Sequence, residues 1–165
     1  MTYEIKYRDK EEMKDSGIEW INEIPYNWEI KKVKHTSKLI TGDSISASDK
    51  DQYYSEELND YYQYVGTKDI DVNTNQIDYN NDLYIPLKNS FNIANPNTFF
   101  ICIEGGSAGR KIAYNNSKVC YVNKLCNIET KKGYSNKLLY YIFQSKEFTT
   151  QFNIKTTGII PGIST

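Results

Sequence analysis

A chain of 165 residues has the length of about one domain, enough to bury a real core. Hydrophobic content of 39% beside 25% charged residues excludes a disordered chain. A formal net charge of -1 excludes a binder that relies on overall basic charge, so a nucleic-acid role requires a local basic face.

Residues 1–15 are charged and polar without an apolar h-region. They predict a loosely held lead-in, not a secretory signal, followed by a single domain over 16–165. No apolar run is long enough to span a bilayer, so a cytoplasmic protein without a membrane partner is expected. Between Gly17 and Ile30, Trp20 and Trp28 lie either side of Pro25, which suggests an extended, pinned segment. Glu29 to Ile40 reads as a short strand or helix leading to Gly42, and Asp43 to Asp60 as loop.

Strands are predicted over Tyr62–Gly66, Leu83–Leu87, Thr98–Ile103, Lys111–Tyr114 and Val119–Ile128, with Asn115-Asn116 as a tight connection. Ser135 is the candidate N-cap of a late amphipathic helix. Leu138, Leu139, Ile142, Phe143, Phe148 and Phe152 then recur near the helical period. Strands first and a helix late define an α+β fold, with a mixed, mostly antiparallel sheet.

The segment richest in chemistry is Gly105-Gly106-Ser107-Ala108-Gly109-Arg110-Lys111, which joins two apolar strands. Glycines permit conformations closed to other residues and close approach to a ligand, and successive N–H groups in such a turn can hold an anion. Arg110 and Arg8 are the chain's two arginines. The same residues read equally well as an ordinary hairpin with a flexible tip and a solvated charge pair. Fifteen tyrosines and abundant Asn suit base stacking and hydrogen bonding. An AT-rich genome produces the same bias without a functional cause.

No catalytic constellation emerges. A P-loop requires a hydroxyl after its Lys, where this chain has Ile112. Asn95-Pro96-Asn97-Thr98-Phe99 lacks the second proline and aromatic spacing of an amino-methyltransferase motif. Glu29-Ile30-Lys31 has the Glu-x-Lys spacing of metal-dependent nucleases, but no Pro-Asp precedes it suitably. Cys102, Cys120 and Cys126 are odd in number, form no C-x-x-C pair and accompany a single histidine, His35. They are expected to be reduced thiols, with no metal site and no cofactor.

Four segments in order resemble one family, the specificity (S) subunit of type I restriction–modification enzymes. They are Met13 to Trp28, Tyr64-Val65-Gly66-Thr67-Lys68-Asp69-Ile70, the glycine turn ending in Arg110, and a late helix followed by Gly158-Ile159-Ile160-Pro161-Gly162-Ile163-Ser164. The resemblance implies a non-catalytic domain that reads one half of a split double-stranded DNA target. It also implies modification (methyltransferase) and restriction (translocase/endonuclease) subunits as partners. The resemblance covers the first target recognition domain, so the spacer helix and second domain are expected to be absent from these residues. In that setting phosphate contacts position the domain and base-edge contacts specify. Gly106, Ser107 and Lys111 are candidates for phosphate, and Arg110 for a guanine edge. Lys68, Asn123 and Lys124, at or near strand ends, are flanking candidates. The alternatives are a magnesium-dependent nucleic-acid enzyme using Glu29 and Lys31, and a decoy that occupies a methyltransferase subunit.

Overall fold

The computed structural model describes residues 8–46, 61–86 and 90–155. It divides into two units, Met1–His35 and Thr36–Thr165. In the first, β1 (Met13–Asp15) pairs antiparallel with β2 (Glu23–Pro25), Lys14 lying opposite Ile24. The end of the predicted lead-in is therefore strand. Gly17, at φ +73°, and Asn22, at φ +58°, turn the chain between the two strands, conformations that glycine and asparagine adopt at least cost. The first unit ends at His35, beyond the polar stretch 1–15.

The short helix α1 (Val33–Thr36) leads into β3 (Ser37–Thr41), so both readings of Glu29 to Ile40 are realised in succession. Thereafter come β4 (Tyr61–Val65), β5 (Tyr84–Pro86), β6 (Ile93–Ala94), β7 (Thr98–Cys102), β8 (Ile112–Asn115), β9 (Val119–Tyr121) and β10 (Leu125–Thr130). Helices α2 (Asn136–Gln144) and α3 (Lys146–Lys155) complete the described chain. Two four-stranded sheets form, in the orders β3-β10-β7-β8 and β5-β4-β9-β6. Every described strand pair is antiparallel except β4 with β9, in keeping with the expected α+β class.

Each of the five residues of β7 is buried, and alternation along a strand explains why. Phe99 points to the helices, edge-on to Phe143 at 5.2 Å and to Tyr140 at 5.8 Å. Phe100 points to the opposite side and meets Tyr121 of the second sheet at 4.9 Å. The antiparallel sheet is thus a middle layer, covered on one face by α2, against which α3 packs, and on the other by the mixed sheet. Between the sheets Val65, Ile70, Ala113, Val119 and Leu125 join Phe100 and Tyr121 in one core. Full burial of such side chains contributes about 1.5–3 kcal/mol each.

Two predicted elements are divided. Val119–Ile128 is two strands in different sheets, with Val122, Asn123 and Lys124 as the corner between them. The late helix breaks at Ser145, whose Oγ accepts from the Phe148 N–H at 3.1 Å and starts α3. The predicted cap is in place, the Ser135 Oγ accepting from the Leu138 N–H at 3.2 Å. The buried face of α2 is rotated from the predicted stripe. Tyr140 and Phe143 pack inward, whereas Leu138 and Ile142 are exposed. Leu87, residues 47–60 of the predicted loop and the segment Gly158–Ser164 lie outside the described residues.

Candidate nucleic-acid interface

The glycine bend is held from within. Gly105 and Gly109 adopt φ of +77° and +70°, which only glycine reaches freely. The Ala108 N–H donates to the Gly105 carbonyl at 3.0 Å and the Gly109 N–H to the Cys102 carbonyl at 2.8 Å. The Arg110 and Lys111 N–H groups both donate to the Ser107 carbonyl, at 3.0 and 3.2 Å. Four of the bend's amides are thereby engaged internally. Those of Gly106 and Ser107 have no partner among the described residues. A Cβ at position 109 would lie 2.4 Å from Phe152 Cδ1, so the bend sits directly on α3 and is no flexible tip. At Gly106 the same atom would meet open space. The Arg110 side chain is exposed, and its guanidinium makes no hydrogen bond or ion pair among the described residues.

Lys68 is exposed in a tight turn over Thr67–Asp69 that the surrounding chain clamps. Asp69 Oδ2 accepts from the Gly66 N–H at 2.7 Å and from Asn81 Nδ2 at 2.7 Å. Asn81 Nδ2 also reaches the Tyr64 carbonyl at 2.7 Å. Lys111, half-buried, donates from Nζ to the Thr67 carbonyl at 2.7 Å, which ties the bend to this turn. Asp69 and Asn81 are not among the sequence candidates. The spacing Gly66-x-x-Asp69 is the signal for Asp69, because a residue three places into a turn can cap the backbone that opens it. Nothing local marks Asn81.

The sheet-switching corner brings in the remaining candidates. Its backbone is fixed by the Val122 N–H on the Val65 carbonyl (3.0 Å), the Leu125 N–H on the Val122 carbonyl (2.9 Å) and the Ile103 N–H on the Lys124 carbonyl (2.9 Å). Lys68, Asn123 and Lys124 line one cleft of about 480 Å³, over a partly apolar floor that includes Ile45, Tyr64 and Leu83. The Tyr64 hydroxyl donates to the Asp43 carbonyl at 2.6 Å, and burial raises its pKa, so it stays protonated. Lys124 is exposed, and its ammonium, like that of Lys68, has no hydrogen bond or ion pair among the described residues.

A second cleft, of about 650 Å³, places Lys68 and Lys111 among Asp69, Asp71 and Asp78. Hydrogen bonds from the Thr74 and Asn73 N–H groups hold the Asp71 carboxyl below its usual range, and it remains charged. Three carboxylates against two ammonium groups repel an anion. The cleft edged by Lys68 and Lys124 suits phosphate better.

Glu29 and Lys31, the alternative catalytic pair, form an ion pair at 3.0 Å with side chains 73% and 45% exposed. The Lys31 hydrogen bond, and then its charge, lowers the Glu29 pKa. Exposed pairs of this kind are worth little. No three His, Cys, Asp or Glu side chains gather as metal ligands among the described residues.

No protein family model matches the chain, and no curated protein matches it. Solved structures do. The HsdS subunit from Thermoanaerobacter tengcongensis superposes with a TM-score of 0.60 at 17% identity, over 89% of this chain and 33% of that one. A chain from a structure addressing complex assembly and conformational transition of the type I R-M system gives 0.61 at 16% identity, over 94% and 34%. The type I restriction–modification S subunit from M. genitalium gives 0.50 at 14%, over 81% and 30%. The chain therefore has the target-recognition-domain fold of type I specificity subunits, and it spans about a third of their length.

Proposed function

We propose that this chain is a non-catalytic module that recognises a specific double-stranded DNA sequence, reading one half of a bipartite target within a type I restriction–modification complex. Its partners are then the duplex and the modification and restriction subunits, which carry the catalysis. One observation supports the reading above the others. Lys68 and the distant pair Asn123 and Lys124 line a single cleft, and Arg110, its guanidinium without a partner among the described residues, adjoins the lysine tied to the same turn. Lys68 and Lys124 suit phosphate oxygens, as do the Gly106 and Ser107 amides, which have no partner among the described residues. Arg110 and Asn123 have the donor geometry for base edges.

Selection from random duplexes at low salt tests this. A short consensus is expected, with affinity of about micromolar or weaker, the usual range when most binding energy is non-specific. Equal binding to all sequences would overturn it.

A further inference from the structure

We infer that Lys111 is a positioning residue: a strut between the glycine bend and the Lys68 turn, not a ligand of the phosphate backbone. The inference rests on reading the Lys68–Lys124 cleft as a duplex-binding surface. It separates two roles that sequence alone merges, since Arg110 and Lys111 stand side by side.

The geometry is one-sided. The Lys111 ammonium is half-buried and lies 2.7 Å from the carbonyl of Thr67, a residue 44 positions away. Thr67 immediately precedes Lys68. From the other flank, Asp69 Oδ2 grips the Gly66 N–H and the Asn81 amide, each at 2.7 Å. The backbone is thus held on both sides of Lys68. The foot of the strut is equally fixed: the Lys111 N–H donates to the Ser107 carbonyl, and its carbonyl accepts from the Cys102 N–H at 2.9 Å.

Charge points the same way. The Lys111 ammonium borders the cleft that holds Asp69, Asp71 and Asp78, and its charge helps keep Asp71 ionised. To meet a phosphate it would have to break the Thr67 bond and leave this field of carboxylates. Lys68, Arg110 and Lys124 are exposed, and their charged groups are unengaged among the described residues. They can take phosphate or a base edge at no such cost. Lys111 instead sets where Lys68 and Arg110 stand, and a positioning error of this kind lowers discrimination before it lowers attraction.

The test compares the full chain with Lys111→Met, which keeps the apolar stem and removes the ammonium. Three quantities are read: preference for the selected duplex over a scrambled one, the slope of log K against log salt, and exchange of the Gly66 and Asp69 amides without DNA. About a tenfold loss of preference is expected, with the slope unchanged and both amides exchanging about tenfold faster. A slope shallower by about 0.9 with preference retained identifies a phosphate ligand and overturns the inference. Unchanged exchange also overturns it, whatever the DNA result. If the wild type itself prefers no sequence, the functional reading fails, while the exchange measurement still decides whether the strut exists. Should Lys111→Met not fold, Lys111→Gln, a donor of shorter reach, carries the same comparison.

Discussion

Gly109 and Phe152 touch with no room for another carbon: a Cβ on Gly109 would lie 2.4 Å from Cδ1 and 2.5 Å from Cε1 of the ring. The glycine also holds φ at +70°. Two costs therefore add in Gly109→Ala, left-handed backbone strain and overpacking. Together they are expected to destabilise the fold by about 2–4 kcal/mol, read as a lower urea midpoint. Because the clash needs the ring, Gly109→Ala in a Phe152→Ala background should cost less than Gly109→Ala alone. Strict additivity would show that α3 does not support the bend.

The exposed cations should separate by the kind of binding they supply. Lys68→Ala and Lys124→Ala are each expected to make the salt slope shallower by about 0.9 and to weaken all duplexes alike. Arg110→Ala should instead reduce preference for the consensus by about 1–3 kcal/mol, mostly at one base pair. A uniform loss from Arg110→Ala would place that guanidinium on phosphate.

Alkaline pH should destabilise the protein through its buried thiols. Burial pushes the Cys120 thiol from 9.0 up to about 12 and the Cys126 thiol from 9.0 up to about 11. Between 9.0 and those values the folded state holds protons that the unfolded chain has released, so stability falls as pH rises. Below 9.0 the contribution is complete. Burial raises the Tyr64 and Tyr121 hydroxyls as well, which adds in the same direction at higher pH. Urea midpoints that decline from pH 9 to 11, with a flatter decline in Cys126→Ala, are the expected result. At pH 8 the native thiols should react slowly with a thiol reagent, because a buried, protonated sulfur is a poor nucleophile.

Both helix caps are testable without touching the interface. Ser135→Ala and Ser145→Ala each remove an acceptor for an otherwise unpaired helix N–H. Each should cost about 1 kcal/mol in thermal or urea unfolding. Binding to the consensus duplex should be unaffected at temperatures where the variants are folded.

Asp69, buried in its turn, is expected to be sensitive to substitution. Asp69→Ala leaves the Gly66 N–H without its acceptor and Asn81 with a lost partner, at about 1–3 kcal/mol. Faster exchange of the Gly66 amide locates the damage.

Where partners are near in sequence, the fold could be read from it. Ser135 and Leu138 form a cap within one helical turn, and the alternation of Phe99 and Phe100 marks a strand buried on two faces. The bend with its exposed Arg110 was equally visible, since glycines and a terminal arginine are local features. What escaped is non-local. Lys111 meets Thr67 across 44 residues, and no spacing rule joins them. Val119–Ile128 reads as one strand because its break is only Val122, Asn123 and Lys124. Only the presence of two sheets, each claiming one end, makes that break a corner. The rotated face of α2 has the same origin: Tyr140 turns inward because Phe99 and Tyr114 lie there to receive it, at 5.8 and 5.3 Å.

The corner between β9 and β10 is secured by main-chain bonds of Val122, Leu125 and Lys124 and by Val122 packed against the core, while the side chains of Asn123 and Lys124 make no hydrogen bond among the described residues. Exchange of such residues typically alters stability by no more than about 0.5 kcal/mol. A lineage carrying this domain can therefore rewrite the chemistry displayed at that edge one residue at a time, with the layers behind it unchanged.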